Sequence, residues 1–246
     1  KDPRYFLEWD VIRKTMFHYP DKKEFLFLKN NKKWHEVKNL LKESPVGNPR
    51  PYFYYPQSSG NVIHHTYSLI NFLDFYDLNI CDIKELVLEF GGGYGSFCKI
   101  FFDYGYVGNY YIYDQEEFSA LQNYYLKSIQ LNRSKNLNYN AKQFENVFLL
   151  SDLDEFMKNI SKEKRIGLFI ALWSLSECPL ELRDKILNEY CIPQFFFFAF
   201  QEKFRNIDNL KFFREFIDHH SDYTWSMIEI FHLPGNYYLY GKRIDY

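Results

Sequence analysis

Four of the chain's eleven glycines fall within five positions, in the run Leu86-Val87-Leu88-Glu89-Phe90-Gly91-Gly92-Gly93-Tyr94-Gly95. An apolar strand that runs straight into glycines marks a strand-to-helix turn. There the backbone can take positive φ and a ligand can approach it closely, beyond the carboxyl end of the strand. A tight turn that binds nothing is the plainer alternative. From Glu85 onward, short apolar runs at 85–90, 110–114, 146–150, 166–173 and 195–200 alternate with amphipathic stretches at 96–104, 116–131, 153–160, 179–191 and 208–220. That alternation predicts an α/β fold with a parallel sheet wrapped by helices, and Pro179 suits a first helical turn. The last stretch differs. Tyr223 to Phe231 and Tyr237 to Lys242 are β-prone runs joined by Leu233-Pro234-Gly235-Asn236, which predicts an antiparallel hairpin.

Residues 1–80 read instead as a helical cap or substrate lobe ahead of a domain spanning 81–246. Trp34, Val37, Leu40 and Leu41 recur at helical spacing, as do Ile63, Tyr67, Ile70 and Leu73. Between them Ser44 to Gly60, with Pro45, Pro49, Pro51, Pro56 and Gly47, reads as an irregular loop, and no strand is needed.

Composition narrows the classes of function. At 246 residues the chain can bury one sizeable core, and thirty basic against thirty-two acidic side chains leave a net charge of −2. That balance offers no overall attraction to phosphate backbones, so no nucleic-acid partner is expected. The longest apolar runs, Ile166 to Trp173 and Phe195 to Phe200, are far short of the roughly 20 residues that cross a bilayer. A soluble, cytoplasmic protein is expected; the first residue, Lys1, fits a processed or trimmed piece. Cys81, Cys98, Cys178 and Cys191 form no C-x-x-C pair and read as buried thiols. The 21% aromatic content fits either stacking surfaces for sugars or bases, or a biased genome.

The spacing of the glycines selects the ligand. A G-x-G-x-x-G fingerprint would need glycine where Ser96 stands, and no G-x-x-x-x-G-K-[ST] loop occurs. The pattern present is E-x-G-x-G-x-G, in Glu89, Gly91, Gly93 and Gly95. An acid at the strand end opposes a pyrophosphate but suits a ligand with an ammonium and a sulfonium, which favours S-adenosylmethionine over NAD. Asp114 ends the next strand about 20 residues past the loop, placed to accept hydrogen bonds from ribose hydroxyls. Alone it would equally suit a helix cap.

With Glu89 to Gly95 as a first motif and Asp114 as a second, residues 84 to 246 resemble the class I S-adenosylmethionine-dependent methyltransferases. The resemblance implies a Rossmann-like, mostly parallel sheet of seven strands with the last antiparallel. It also implies cofactor contacts from Glu89, Gly91, Gly93, Tyr94, Gly95, Asp114 and Gln115. More narrowly, Leu88 to Gly95, Tyr113 to Gln122, Leu175-Ser176-Glu177-Cys178-Pro179 and Tyr238 to Arg243 are similar to the sugar O-methyltransferases of bacterial surface-polysaccharide biosynthesis.

That resemblance implies an acceptor that is a sugar, nucleotide-sugar or glycan precursor, with S-adenosylhomocysteine as product. In such a fold Ser151 or Asp152, after the third strand, would lie near the adenine, though either also fits a helix cap. Trp173, at the end of the fourth, would pack on the cofactor. A neutral hydroxyl needs a general base, and Glu177 and His232 are the catalytic candidates. His64 and His65, on a helix after Gly60-Asn61, could cover the acceptor; packing against the core is their plainer reading. Asp152, Asp154 and Glu155 enrich a first helical turn and do not make a metal site, and His219-His220 suit a helix C-terminus. A methyltransferase on another small molecule, a protein or RNA, or a non-catalytic interaction module, stands as the alternative.

Overall fold

The computed structural model describes residues 2–16, 21–134, 144–162, 165–189 and 192–244. The chain forms two compact units: Lys1–Asp82 with Gly92–Val107 and Ala120–Asn146, and Ile83–Gly91 with Gly108–Ser119 and Val147–Tyr246.

In the first unit a 3-10 turn at Pro3–Glu8 leads into helices α1 (Asp10–Thr15), α2 (Lys22–Lys29) and α3 (Trp34–Leu40). Two short strands follow, β1 (Pro51–Tyr52) and β2 (Tyr55–Ser59), paired antiparallel. This corrects the expectation of an irregular segment. In a two-stranded ribbon Pro51 and Pro56 can sit where no ladder N–H is required, so prolines that would forbid a central strand are tolerated. Ser59 then caps helix α4 (Gly60–Phe75), its Oγ accepting the Val62 amide at 3.3 Å. Val62, Ile63, Leu69 and Phe72 are fully buried on α4, as are Leu28 and Val37 on α2 and α3. Helix α5 (Ser96–Asp103) adds Ile100 and Phe101.

The second unit holds a seven-stranded sheet built from β3 (Leu86–Phe90), β4 (Tyr110–Tyr113), β5 (Val147–Leu150), β6 (Ile166–Leu172), β7 (Pro193–Gln201), β10 (Tyr223–Glu229) and β11 (Asn236–Arg243). A two-stranded ribbon, β8 (Lys203–Phe204) and β9 (Ile207–Asp208), follows β7 and was not expected from sequence. The sheet order is β10-β11-β7-β6-β3-β4-β5. Pairs β3/β4, β4/β5, β3/β6 and β6/β7 are parallel, and β11 is antiparallel to both its neighbours. The expected mostly parallel sheet with a reversed last strand is therefore present, its strand ends shifted by one or two residues.

Phe195 to Phe200 on β7 are all buried, as an apolar run covered on both faces should be. Helix α6 (Glu116–Ser134) begins in this unit and continues in the first, and α7 (Leu153–Lys162), α8 (Leu180–Glu189) and α9 (Asn209–His219) complete the helices. Pro179 lies just before α8 rather than in its first turn, and its carbonyl accepts the Leu182 and Arg183 amides. Cys98 is buried but Cys81 is exposed and Cys178 half-buried, so the thiols are not uniformly interior; Cys191 lies outside the described residues. No helix among the described residues is long and apolar enough to cross a membrane.

Candidate functional site

The strand order reverses at β3. It pairs with β4 on one side and with the later strand β6 on the other, so the chain runs outward from β3 through β4 to β5 and then crosses back to the opposite side of β3. In an open α/β sheet that switch point leaves a crevice beyond the carboxyl ends of the strands. The turn after β3 carries the glycines, and the turn after β6 carries Trp173 and Ser174. The two meet directly. The Ser174 hydroxyl donates to the Phe90 carbonyl, and a Cβ built on Gly91 would lie 2.2 Å from Ser174 Cβ. Gly91 also has φ of 76° and donates its amide to the Tyr113 carbonyl at 2.8 Å. Both position and conformation thus demand glycine there.

Glu89, the second-last residue of β3, is 4% exposed, and its Oε2 accepts the Tyr110 hydroxyl from β4 at 2.9 Å. Burial pushes its pKa up to about 8, against the Tyr110 hydrogen bond, with the negative charge of Asp114 adding to the rise. Asp114 follows β4, half-buried. Its amide donates to Leu150 O at 3.0 Å, and its Oδ1 accepts the Gln115 amide at 2.9 Å. Gln115 itself is exposed. Ser151 and Asp152 are exposed after β5, and Asp152 Oδ1 accepts the Glu155 amide at 2.7 Å, which makes it the N-cap of α7.

Trp173 has φ of 63°, a conformation a bulky residue adopts only when its surroundings force it. Its amide donates to Ala199 O at 2.7 Å, and its indole N–H donates to Asn236 Oδ1 at 2.8 Å. Asn236, at the start of β11, ties the terminal hairpin to the β6 tip and could not be singled out from sequence. Glu177, in the 3-10 turn Leu175–Glu177, is exposed. Partial desolvation raises its pKa, and Arg205 opposes the rise. His232 is half-buried in the β10–β11 turn beside Phe231, with ring centroids 4.9 Å apart.

The remaining candidates lie in the first unit. Gly93 and Gly95 have φ of 57° and 90°, and Gly95 precedes α5 in its N-cap position. A Cβ on Gly93 would meet nothing nearer than the Met16 side chain at 3.5 Å. Gln122, fully buried on α6, donates from Nε2 to Gly93 O at 3.0 Å and steadies the turn. Tyr94 is 2% exposed, its ring packed on Phe6 and Tyr125, which leaves its backbone as the part available to a ligand.

The two α4 histidines have separate partners. His64, 5% exposed, places Nδ1 2.8 Å from Glu24 Oε1, whereas His65 Nδ1 lies 3.1 Å from the hydroxyl of Ser96, the first residue of α5. Glu24 and Ser96 were not anticipated, since nothing in their local spacing reveals a partner tens of residues away. His219 and His220 bond carbonyls one turn back on α9, at Glu215 and Phe216. Among the described residues no cluster of three His, Cys, Asp or Glu could hold a metal.

No protein-family model matches the chain, and no curated protein matches it in sequence. Solved structures do. Two structures of the methyltransferase domain of bacterial CtHen1 superpose with a TM-score of 0.50. They are 11% and 12% identical to this chain, and the matches cover 71% and 72% of it and 95% of each domain. The glycopeptide N-methyltransferase MtfA, solved with S-adenosylmethionine, matches with a TM-score of 0.49 at 12% identity over 71% of this chain and 86% of its own. The sheet order, the reversed last strand and the two CtHen1 superpositions agree that the chain has the Rossmann-like fold of those methyltransferase domains.

Proposed function

We propose that this chain is an S-adenosylmethionine-dependent O-methyltransferase whose acceptor is a hydroxyl of a sugar, nucleotide-sugar or glycan precursor. The observation that carries the reading is the buried Glu89 at the end of β3, with Asp114 beyond the tip of the adjacent strand and a positive-φ glycine turn between them in sequence. The donor set fits the cofactor. A carboxylate that is hard to ionise in a buried pocket favours a ligand that brings a positive charge, and it disfavours the pyrophosphate of a dinucleotide. Asp114, beyond the tip of β4, carries the carboxylate we assign to accept from ribose hydroxyls.

When bound, the cofactor supplies an already activated methyl group, so the protein's tasks are to position the acceptor oxygen and to take its proton. Trp173, half-buried at the β6 tip with its ring centroid 6.4 Å from that of Tyr238, is assigned to pack on the cofactor. Glu177, four residues along the same turn, is exposed, so its carboxylate can reach an acceptor, and partial desolvation raises its pKa against the pull of Arg205. We assign it the role of general base, with His232 as the second candidate. The motifs around Leu175 to Pro179 and Tyr238 to Arg243 support the sugar acceptor.

The test is transfer of radiolabelled methyl from S-adenosylmethionine into a panel of nucleotide sugars and glycans. Label should enter at least one of them. Glu177→Gln should then lower kcat about 10²- to 10⁴-fold with cofactor affinity unchanged. Full turnover by both Glu177→Gln and His232→Asn would remove this mechanism, and label appearing only in RNA or peptide would overturn the sugar assignment.

A further inference from the structure

Arg183 is among the largest fully buried side chains of the second unit, at 0% exposure on the first turns of α8. Its bonds to described residues all go to neutral oxygens: Nε to Cys178 O at 2.9 Å, Nη2 to Ser176 O at 2.5 Å, and Nη1 to Asn209 Oδ1 at 2.7 Å. The guanidinium carbon also lies 5.0 Å from the centre of the Phe212 ring. Burying a cation against neutral partners is unfavourable compared with an apolar side chain of the same length. What an apolar residue could not supply is a rigid fork of donors reaching several carbonyls at once.

Those carbonyls belong to one device. Asn209, itself fully buried, donates from Nδ2 to Gln201 O at 2.8 Å, so the fork reaches the end of β7 as well. Ser176 Oγ lies 2.6 Å from Trp173 O and 2.9 Å from Gln201 Oε1. Within the turn the Glu177 amide donates to Ser174 O and the Cys178 amide to Leu175 O. The turn therefore starts at a residue in strained backbone, Trp173, and is bound from below by a network that converges on Arg183.

We propose that Arg183 is a positioning residue. It holds the Trp173–Cys178 turn in its strained form, so that Trp173 and Glu177 are presented at the carboxyl edge of the sheet, and it does so without touching a ligand itself. The importance of that turn rests on the function proposed above, but the positioning does not.

Hydrogen exchange followed by mass spectrometry, together with tryptophan emission, separates the two. In Arg183→Met the Glu177 and Cys178 amides should exchange at least about tenfold faster, while strands β6 and β7 stay within about twofold. Trp173 emission should shift as well, and the shift should vanish in Arg183→Met/Trp173→Phe. Arg183→Lys, which keeps a donor but not the fork, should restore part of the protection. Asn209→Ala, a milder change should Arg183→Met fail to fold, should give an intermediate acceleration confined to the same turn. Uniform acceleration across the unit, or turn amides as protected as in the parent chain, would overturn the proposal. Neither outcome depends on cofactor binding, so titration of the parent chain with S-adenosylmethionine tests the function separately.

Discussion

At the scale of single residues, Glu89 carries the most physical consequence. It titrates near 4.5 in an unfolded chain and at about 8 in the folded one, because burial disfavours its charge. Between those values the folded state binds the extra proton, so the stability contributed by this group is greatest below pH 4.5, falls as pH rises through the window, and levels off above 8. The slope contributed by this one group is at most about 1.4 kcal/mol per pH unit. Glu89→Gln, neutral throughout, should flatten thermal stability against pH between 5 and 8 and gain on the parent chain toward pH 8; parallel curves would contradict the assignment.

Other residues show where sequence ran out. Asp152 was legible both as a cap and as an adenine neighbour, and its bond to the Glu155 amide establishes the cap while leaving the second role to ligand studies. Ser174, Asn236 and Gln122 act through partners 29 to 84 positions away, a relation that spacing along a chain cannot reveal.

At the scale of elements, the glycine turn divides into positions with different demands. Gly91 is glycine because the turn after β6 leaves no room and its φ is positive, whereas Gly93 has the φ but open surroundings. Gly91→Ala should therefore lower unfolding free energy by about 2 to 4 kcal/mol, and Gly93→Ala by only about 1 kcal/mol. Chemical denaturation would check the order, and equal losses would mean that the contact with Ser174 does not limit the turn. The apolar strands and amphipathic helices of the sheet region were legible because their periodicities differ and each is several residues long. The β1–β2 ribbon was not, since prolines and a short span mask a strand in any pattern reading. The β8–β9 ribbon, two residues per strand, falls below what a pattern can show.

At the scale of the whole molecule, the strand order was the decisive feature, and only part of it was written in the sequence. Alternating apolar runs called for a parallel sheet, and the Leu233–Asn236 turn called for a final hairpin. The placement of β6 beside β3, which creates the switch point, is a long-range pairing that no local signal in the sequence reveals. The superposed CtHen1 domains are similar in fold at low identity, and the fold alone leaves the acceptor open to experiment.

The central claim is that the turn after Glu89 binds a cationic sulfonium nucleoside. The most direct measurement is isothermal titration of the chain at pH 7 with S-adenosylmethionine, repeated with NAD and in two buffers of different ionisation enthalpy. The account predicts binding of S-adenosylmethionine alone, with protons released as Glu89 ionises against the ligand's charge. NAD binding as tightly, or no heat from either ligand, would contradict it.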